Sequence, residues 1–395
     1  MKQKPLIVLA DDLTGAAEVA AIAFQAGLSA EVFTRLPRGP VETDVLVFNT
    51  DTRLATPAVA TRRLRTAIVR LKKIPHAGWF KKTDSVLRGP VAAELAAGAQ
   101  ALGLRRTLLV PGNPSLGRVI RDGHYFISGQ PLHETTFARD PHHPCTSSEV
   151  LTLLAAPKSA RAVCLAPTAR LPREGLIVGE AASTADIARW AQAVDRHTLP
   201  AGGADFFRAW LKTHAKTASA ERWNPASGRV GSMLAKRNPS GGRVPPLDNP
   251  TLLLHGTTAS PVNQSSAFFF RGTRAPAADK VSAQLRRHGH AIVTTSPIRS
   301  ADRRAPATVS QSFANLAATL HQAGAFRHLL IVGGATAATV LHPLGWTRLK
   351  VVRVWGPGVV TLEPENAPGF ALTLKPGSYP WPAKLRRTLP RLLTY

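Results

Sequence analysis

Cysteine is scarce in this chain of 395 residues: Cys145 and Cys164 are the only two. Without metal-ligand spacing between them they exclude a disulfide framework and a zinc module, and they suit a reducing cytoplasm, the compartment expected here. Long apolar runs are also missing. No stretch approaches the roughly 18 residues that a membrane span needs. The apolar start Leu6–Ala10 meets Asp11 and Asp12 before a signal-peptide core is complete, so it reads as a first strand, and no membrane partner is expected. Aromatic residues make up only 6%, and no zinc-finger spacing, ribonucleoprotein-type aromatic motif or basic zipper region accompanies them. Acidic residues are in deficit, 24 against 50 Lys and Arg, for a net charge of +26. Such a charge attracts phosphate polymers at low salt. The cations are scattered, however, so local clusters point to a small anionic ligand, and a specific nucleic-acid function is the lesser alternative.

What is present describes a folded α/β chain. Hydrophobic residues reach 44%, and a prior of roughly 150 residues per domain suggests two or three domains. Apolar runs at 5–10, 45–50, 78–80 and 107–110 alternate with helix-favouring stretches at 13–20, 57–73 and 90–103. A further short strand is expected at Ala30–Thr34, and His124–Leu132 reads as a hairpin turning at Ser128-Gly129. Residues 216–248 lose periodicity and collect Ser, Gly, Pro and basic residues, which marks a linker. The expected domains are therefore 1–215 and 249–395 on either side of it.

Polar groups recur just after the strands. Asp11-Asp12-Leu13-Thr14-Gly15 follows the first, Asp51-Thr52-Arg53 the third, and Lys81-Lys82-Thr83-Asp84-Ser85-Val86-Leu87-Arg88-Gly89-Pro90 the run at Gly78-Trp79-Phe80. In open α/β sheets ligands bind beyond the carboxyl ends of the strands. Arg53, Lys82 and Arg88 are cations suited to a carboxylate, and Asp12 and Asp84 are acceptors for ligand hydroxyls. The alternative reading of Asp12 is a helix N-cap. Arg139, Asp140, His142 and His143 read as a solvated or dimer-contact loop without metal spacing.

Taken together, Asp11–Gly15, Asp51–Arg53, Lys82–Gly89 and Gly123-His124 through Phe137–Pro141 resemble the four-carbon acid sugar kinases. The resemblance implies a sugar-acid-binding N-terminal α/β domain and an ATP-binding C-terminal one, each with a largely parallel sheet flanked by helices, and an active site in the cleft between them. It implies that Asp12, Arg53, Lys82, Thr83, Asp84, Ser85 and Arg88 line the substrate site, with Asp12 as general base and Asp84 as the runner-up. It also implies ATP and Mg²⁺ as cofactors. The candidate nucleotide loops are His255-Gly256-Thr257-Thr258-Ala259-Ser260-Pro261, which carries one residue more than the family's loop, and Gly333-Gly334-Ala335-Thr336, followed by Gly377 near the end. Three departures stand on the nucleotide side: that extra residue, Ala335 where the family has an acid, and Pro376, which removes a backbone donor. The expected activity is ATP-dependent phosphorylation of the terminal hydroxyl of threonate, erythronate or a 3-oxo-tetronate. The alternative is a sugar-acid-binding member that has lost phosphoryl transfer. A homodimer is a further expectation.

Overall fold

A computed structural model describes residues 4–140, 142–156, 160–218, 250–255, 267–270, 274–295, 305–377 and 379–393. The chain divides into two compact units, Met1–Gly27 with Leu36–Arg229, and Leu28–Arg35 with Val230–Tyr395. From residue 219 on, the expected linker lies outside the described residues, as do Gly256 and Ser260.

In chain order the first half comprises β1 (Leu6–Ala10), α1 (Leu13–Gln25), β2 (Ala30–Phe33), β3 (Val45–Asn49), α2 (Pro57–Leu71), β4 (Gly78–Lys82), α3 (Val91–Leu102), β5 (Arg106–Val110), β6 (Arg118–Arg121), β7 (His124–Ile127), β8 (Gln130–Pro131), α4 (Val150–Leu154), β9 (Val163–Leu165), β10 (Gly175–Gly179), α5 (Thr184–Ala193), β11 (Thr198–Gly202) and α6 (Ala204–Ala218). The second comprises β12 (Thr251–His255), β13 (Ala267–Phe270), α7 (Ala278–His288), β14 (His290–Thr295), α8 (Ala305–Gln322), β15 (His328–Val332), α9 (Gly334–Leu344), β16 (Arg348–Gly356), β17 (Val359–Pro364), β18 (Ala371–Lys375), α10 (Ala383–Thr388) and α11 (Pro390–Leu393).

The first unit is built on a parallel sheet of order β3-β1-β4-β11-β5-β10-β9. Its central strand β1, Leu-Ile-Val-Leu-Ala, is buried at every position, the mark of a strand covered on both faces. Helix α1 is buried nearly all round, whereas α2 hides only Ala60, Leu64, Ala67, Ile68 and Leu71. That stripe is the i, i+3, i+4 pattern of a helix lying on one face of a core, capped by Thr56 with Pro57 in the first turn. Helix α6 seats Phe206, Phe207 and Trp210 against Phe80 of β4, with ring centroids 5.0–5.8 Å from that ring. Each buried ring contributes roughly 2–3 kcal/mol, which anchors α6 over the middle of the sheet. A small antiparallel sheet, β6-β7-β8, carries the expected hairpin turn at Ser128-Gly129. Its Ile120 and Tyr125 pack with Val86, Leu87, Val91 and Leu95, so the turn after β4 is folded into a core.

The second unit has the order β13-β14-β12-β15-β18-β17-β16-β2. Strands β13, β14, β12, β15 and β18 run parallel, and β17, β16 and β2 complete the sheet antiparallel. The strand at 30–33, read from the sequence as part of the first domain, pairs here with β16, where Arg348 bonds Glu31 at 2.8 Å. The local pattern of a four-residue strand fixes its type and leaves its sheet open, because pairing is decided by the partner edge.

Candidate active site

The strand register places the site. Ala10 of β1 lies opposite Asn49 of β3 and Lys82 of β4, and Lys82 opposite Gly202 of β11. The residues that follow each strand therefore emerge at one edge. Arg53 grips Asp11 there with two parallel bonds of 2.9 Å, from Nε and Nη2, and its Nη1 reaches Asp12 Oδ2 at 2.8 Å and Asp84 Oδ1 at 3.6 Å. Arg88 forks onto Asp84 through Nε at 2.9 Å and Nη2 at 2.8 Å. The sequence motifs at Asp12, Arg53, Asp84 and Arg88 thus meet in one ionic cluster. Gly89 makes this approach feasible: with φ at +89°, a Cβ there would stand 2.7 Å from the Arg53 carbonyl oxygen.

Asp12 is also the N-cap of α1. Its Oδ1 accepts from the Gly15 N–H at 2.7 Å, and its Oδ2 from the Thr14 hydroxyl at 2.6 Å. Cap and site residue are the same carboxylate, which the cap orients. A carboxylate offers about four acceptor positions, and three are taken by Gly15, Thr14 and Arg53. The remaining position suits a substrate hydroxyl.

Electrostatics bear on Asp84, the runner-up for general base. Burial would raise the Asp84 carboxyl, yet the Arg88 and Arg53 guanidiniums hold it well below the usual carboxylate range. Bonded to two arginines, it is a weak base. Asp11 is likewise lowered, burial being outweighed by Arg53 and Lys81, and Arg53 is raised well above its ordinary value, burial, which would lower it, being outweighed by the carboxylates of Asp11, Asp12 and Asp84.

The two lysines are internal counter-ions. Lys81 Nζ lies 3.2 Å from Glu94, and Lys82 Nζ lies 3.4 Å from Glu18 and donates to the Thr83 carbonyl at 2.8 Å. Both are buried, and Lys82, expected to neutralise a ligand carboxylate, has the Glu18 carboxylate beside it. The Thr83 hydroxyl is buried with no hydrogen-bond partner among the described residues. Ser85 Oγ accepts from Arg118 Nη1 at 2.5 Å. Arg118 was missed from the sequence, since it sits after a loop with no strand-end signal of its own. Asp11, Glu18 and Glu94 were missed as partners because ion pairing between elements leaves no local pattern.

In the second unit, the Gly333-Gly334 turn opens α9, with Ala335 exposed and Thr336 buried 3.4 Å from the Ser310 hydroxyl. The Gly333 N–H donates to the Lys375 carbonyl at 2.9 Å, tying this turn to the carboxyl end of β18. Lys375 closes the fully buried strand Ala-Leu-Thr-Leu-Lys. Its ammonium donates to the carbonyls of Pro376 at 2.8 Å, Gly377 at 3.4 Å and Tyr379, and it lies 5.3 Å from the Trp381 ring centroid. Burial lowers its pKa to about 8, and burial with Lys375 nearby lowers that of His255 to about 4. A lone lysine at the end of a short strand, just before Pro376-Gly377, was the available signal for this residue. Gly377 itself faces Lys375 with its carbonyl.

Comparison with known proteins agrees with this division. Residues 6–209 match a sugar-binding N-terminal domain, and residues 267–379 a nucleotide-binding C-terminal domain. The chain is 31% identical over 181 residues to a D-erythronate kinase of Heliobacterium modesticaldum. That match covers 45% of this chain and 41% of the relative, so the chain spans less than half of that relative's length. It is 25% identical over 420 residues to a 3-oxo-tetronate kinase of Salmonella typhimurium, covering 94% and 95% of the two chains. Among solved structures, a Salmonella typhimurium LT2 protein provisionally described as a tRNA synthase superposes with a TM-score of 0.71 at 20% identity, covering 97% and 98% of the chains. At that identity the likeness concerns the fold alone.

Proposed function

The chain belongs to the four-carbon acid sugar kinase family, and from that premise we propose that it transfers the γ-phosphoryl group of ATP to the terminal hydroxyl of a small sugar acid of the threonate, erythronate or 3-oxo-tetronate type. It is then a phosphotransferase with an alcohol acceptor, working in a reducing cytoplasm. The observation that carries this reading is the convergence of Asp12, Arg53, Asp84 and Arg88 at one sheet edge. The acid binds in the first unit, with Arg53 and Arg88 facing its carboxylate and Thr83 and Ser85 its hydroxyls. Asp12, with one acceptor position open, takes the proton of the hydroxyl that attacks. ATP binds in the second unit, at Gly333, Gly334, Ala335, Thr336 and Gly377, with Lys375 as the phosphate cation. Catalysis is then positioning and charge neutralisation.

Mg²⁺ arrives with ATP in this reading. Beyond the phosphates such an ion needs only one or two protein oxygens, and the Thr336 hydroxyl fits that need. Among the described residues no group of acidic, histidine or cysteine side chains forms a dedicated metal cage. When bound, the ion neutralises phosphate charge.

The test is ADP release with MgATP across a panel of four-carbon sugar acids. Turnover is expected with one of them and none without acid. Ala335, which lacks the family's carboxylate, favours a second reading, a binding protein without transfer. An acid-dependent rise in melting temperature with no effect of ATP would select it.

Lys375 supplies a pH prediction. With its pKa at about 8, the ammonium is charged below that pH and loses its charge as pH rises through it. We expect kcat/KM for ATP to fall over that interval. In Lys375→Met it should be lower by about 10- to 100-fold, the worth of a charged hydrogen bond, and flat with pH.

A further inference from the structure

The stretch that holds Arg139, Asp140, His142 and His143, read from the sequence as a solvated or dimer-contact loop, is bound to the cation cluster, with the nearby Phe137, at three places. Asp140 Oδ2 accepts from Arg88 Nη1 at 2.9 Å. His143 Nε2 lies 3.1 Å from the Arg53 carbonyl oxygen. The Phe137 ring lies beneath two guanidiniums, Arg88 at 5.3 Å and Arg118 at 5.7 Å from its centroid. Asp140 also holds the segment's own shape, its Oδ1 accepting from the His142 and His143 N–H groups at 3.0 and 2.9 Å.

These contacts fix Arg88 from both sides. Asp84 takes one edge of the guanidinium and Asp140 the other. An arginine has five N–H bonds, of which these partners use three, and the side chain is 28% exposed. A cation held this way loses little freedom when it binds an anion. Two guanidiniums over one ring would repel each other in isolation. The ring face and the carboxylates of Asp84 and Asp140 offset that repulsion, and the Arg88 guanidinium is a planar fork of the kind that recognises a carboxylate.

We propose that Asp140 is a positioning residue which, together with Phe137, sets Arg88 as the carboxylate-recognising end of the sugar-acid site. Asp140 and Phe137 thereby govern affinity for the charged acid and not the phosphoryl transfer step. This rests on the reading that the acid binds in the first unit.

Asp140→Asn tests it, because the amide keeps an oxygen for the loop N–H groups while turning a donor toward Arg88. Binding of D-threonate, D-erythronate and their neutral carboxamides is measured by calorimetry without nucleotide. In the wild type the acid binds better than its amide. In the variant, acid affinity should fall about tenfold, amide affinity should hold, and the acid-to-amide preference should shrink accordingly. KM for the acid should rise in parallel, with KM for ATP and the melting temperature unchanged. Phe137→Leu, which keeps an apolar side chain and removes the ring face, should narrow the same preference and serves if the first variant fails to fold. Equal weakening of acid and amide, or unchanged acid binding, would overturn the positioning role alone. A wild type that binds neither acid would overturn it together with the sugar-acid reading.

Discussion

Asp12→Ala is expected to lower kcat by about a thousandfold, within the range attributed to a positioned general base, while the enzyme stays folded. Removal of an N-cap costs about 1 kcal/mol, a small part of the stability of a domain. The control is Asp12→Asn, which retains an acceptor for the Gly15 N–H, bonded at 2.7 Å in the native protein, and cannot take a proton. If Asp12 is the base, the asparagine variant recovers melting temperature and leaves kcat as low as in the alanine variant. Recovery of both would reduce Asp12 to a cap. Asp84 offers no equivalent substitute, because its carboxylate is held ionised by Arg88 and Arg53.

The largest loss of stability is expected for Gly202→Ala. Gly202 ends β11 between β4 and β5, with φ at +152°, and a Cβ there would stand 2.1 Å from the Val110 carbonyl oxygen. Its own carbonyl accepts the Thr83 N–H at 3.2 Å, so displacing it disturbs the substrate-side motif directly. Backbone strain of about 1–3 kcal/mol and overpacking of a similar size combine to about 4 kcal/mol. In a unit of this size that lowers the melting temperature by about 8–16 °C. Gly129→Ala is the comparison: its φ is +85°, but no atom of the described residues beyond its chain neighbours lies within 4 Å of the added carbon. A loss of about 1 kcal/mol is expected there. Calorimetric melting of the two variants distinguishes contact from conformation as the cause.

The legible parts of the sequence were those in which chemistry follows a strand. Asp12, Arg53, Asp84 and Arg88 are each within a few residues of a buried apolar run, and a parallel sheet brings such positions to one edge whatever the loops do. The helices at 57–71 and 91–102 were legible from apolar spacing, and the 128–129 turn from Ser-Gly between short strands. What escaped depends on partners distant in sequence. Lys82 reads as a ligand cation until Glu18 of α1 is placed 3.4 Å away. Asp140 reads as part of a solvated loop until Arg88, 52 positions earlier, is placed against it. The antiparallel pair β16 and β17 was missed, as was the pairing of β2 with β16, for the same reason, since an edge is completed by a strand from elsewhere in the chain.

The most direct measurement of the central claim is phosphorus NMR, with mass spectrometry, of the product formed from MgATP and the four-carbon acid that gives the fastest ADP release. The expected product is a phosphomonoester on the terminal carbon of the acid, formed in equal amount to ADP and about a thousandfold more slowly with Asp12→Ala. ADP accompanied only by inorganic phosphate, or an acid recovered unchanged across the whole panel, would contradict it.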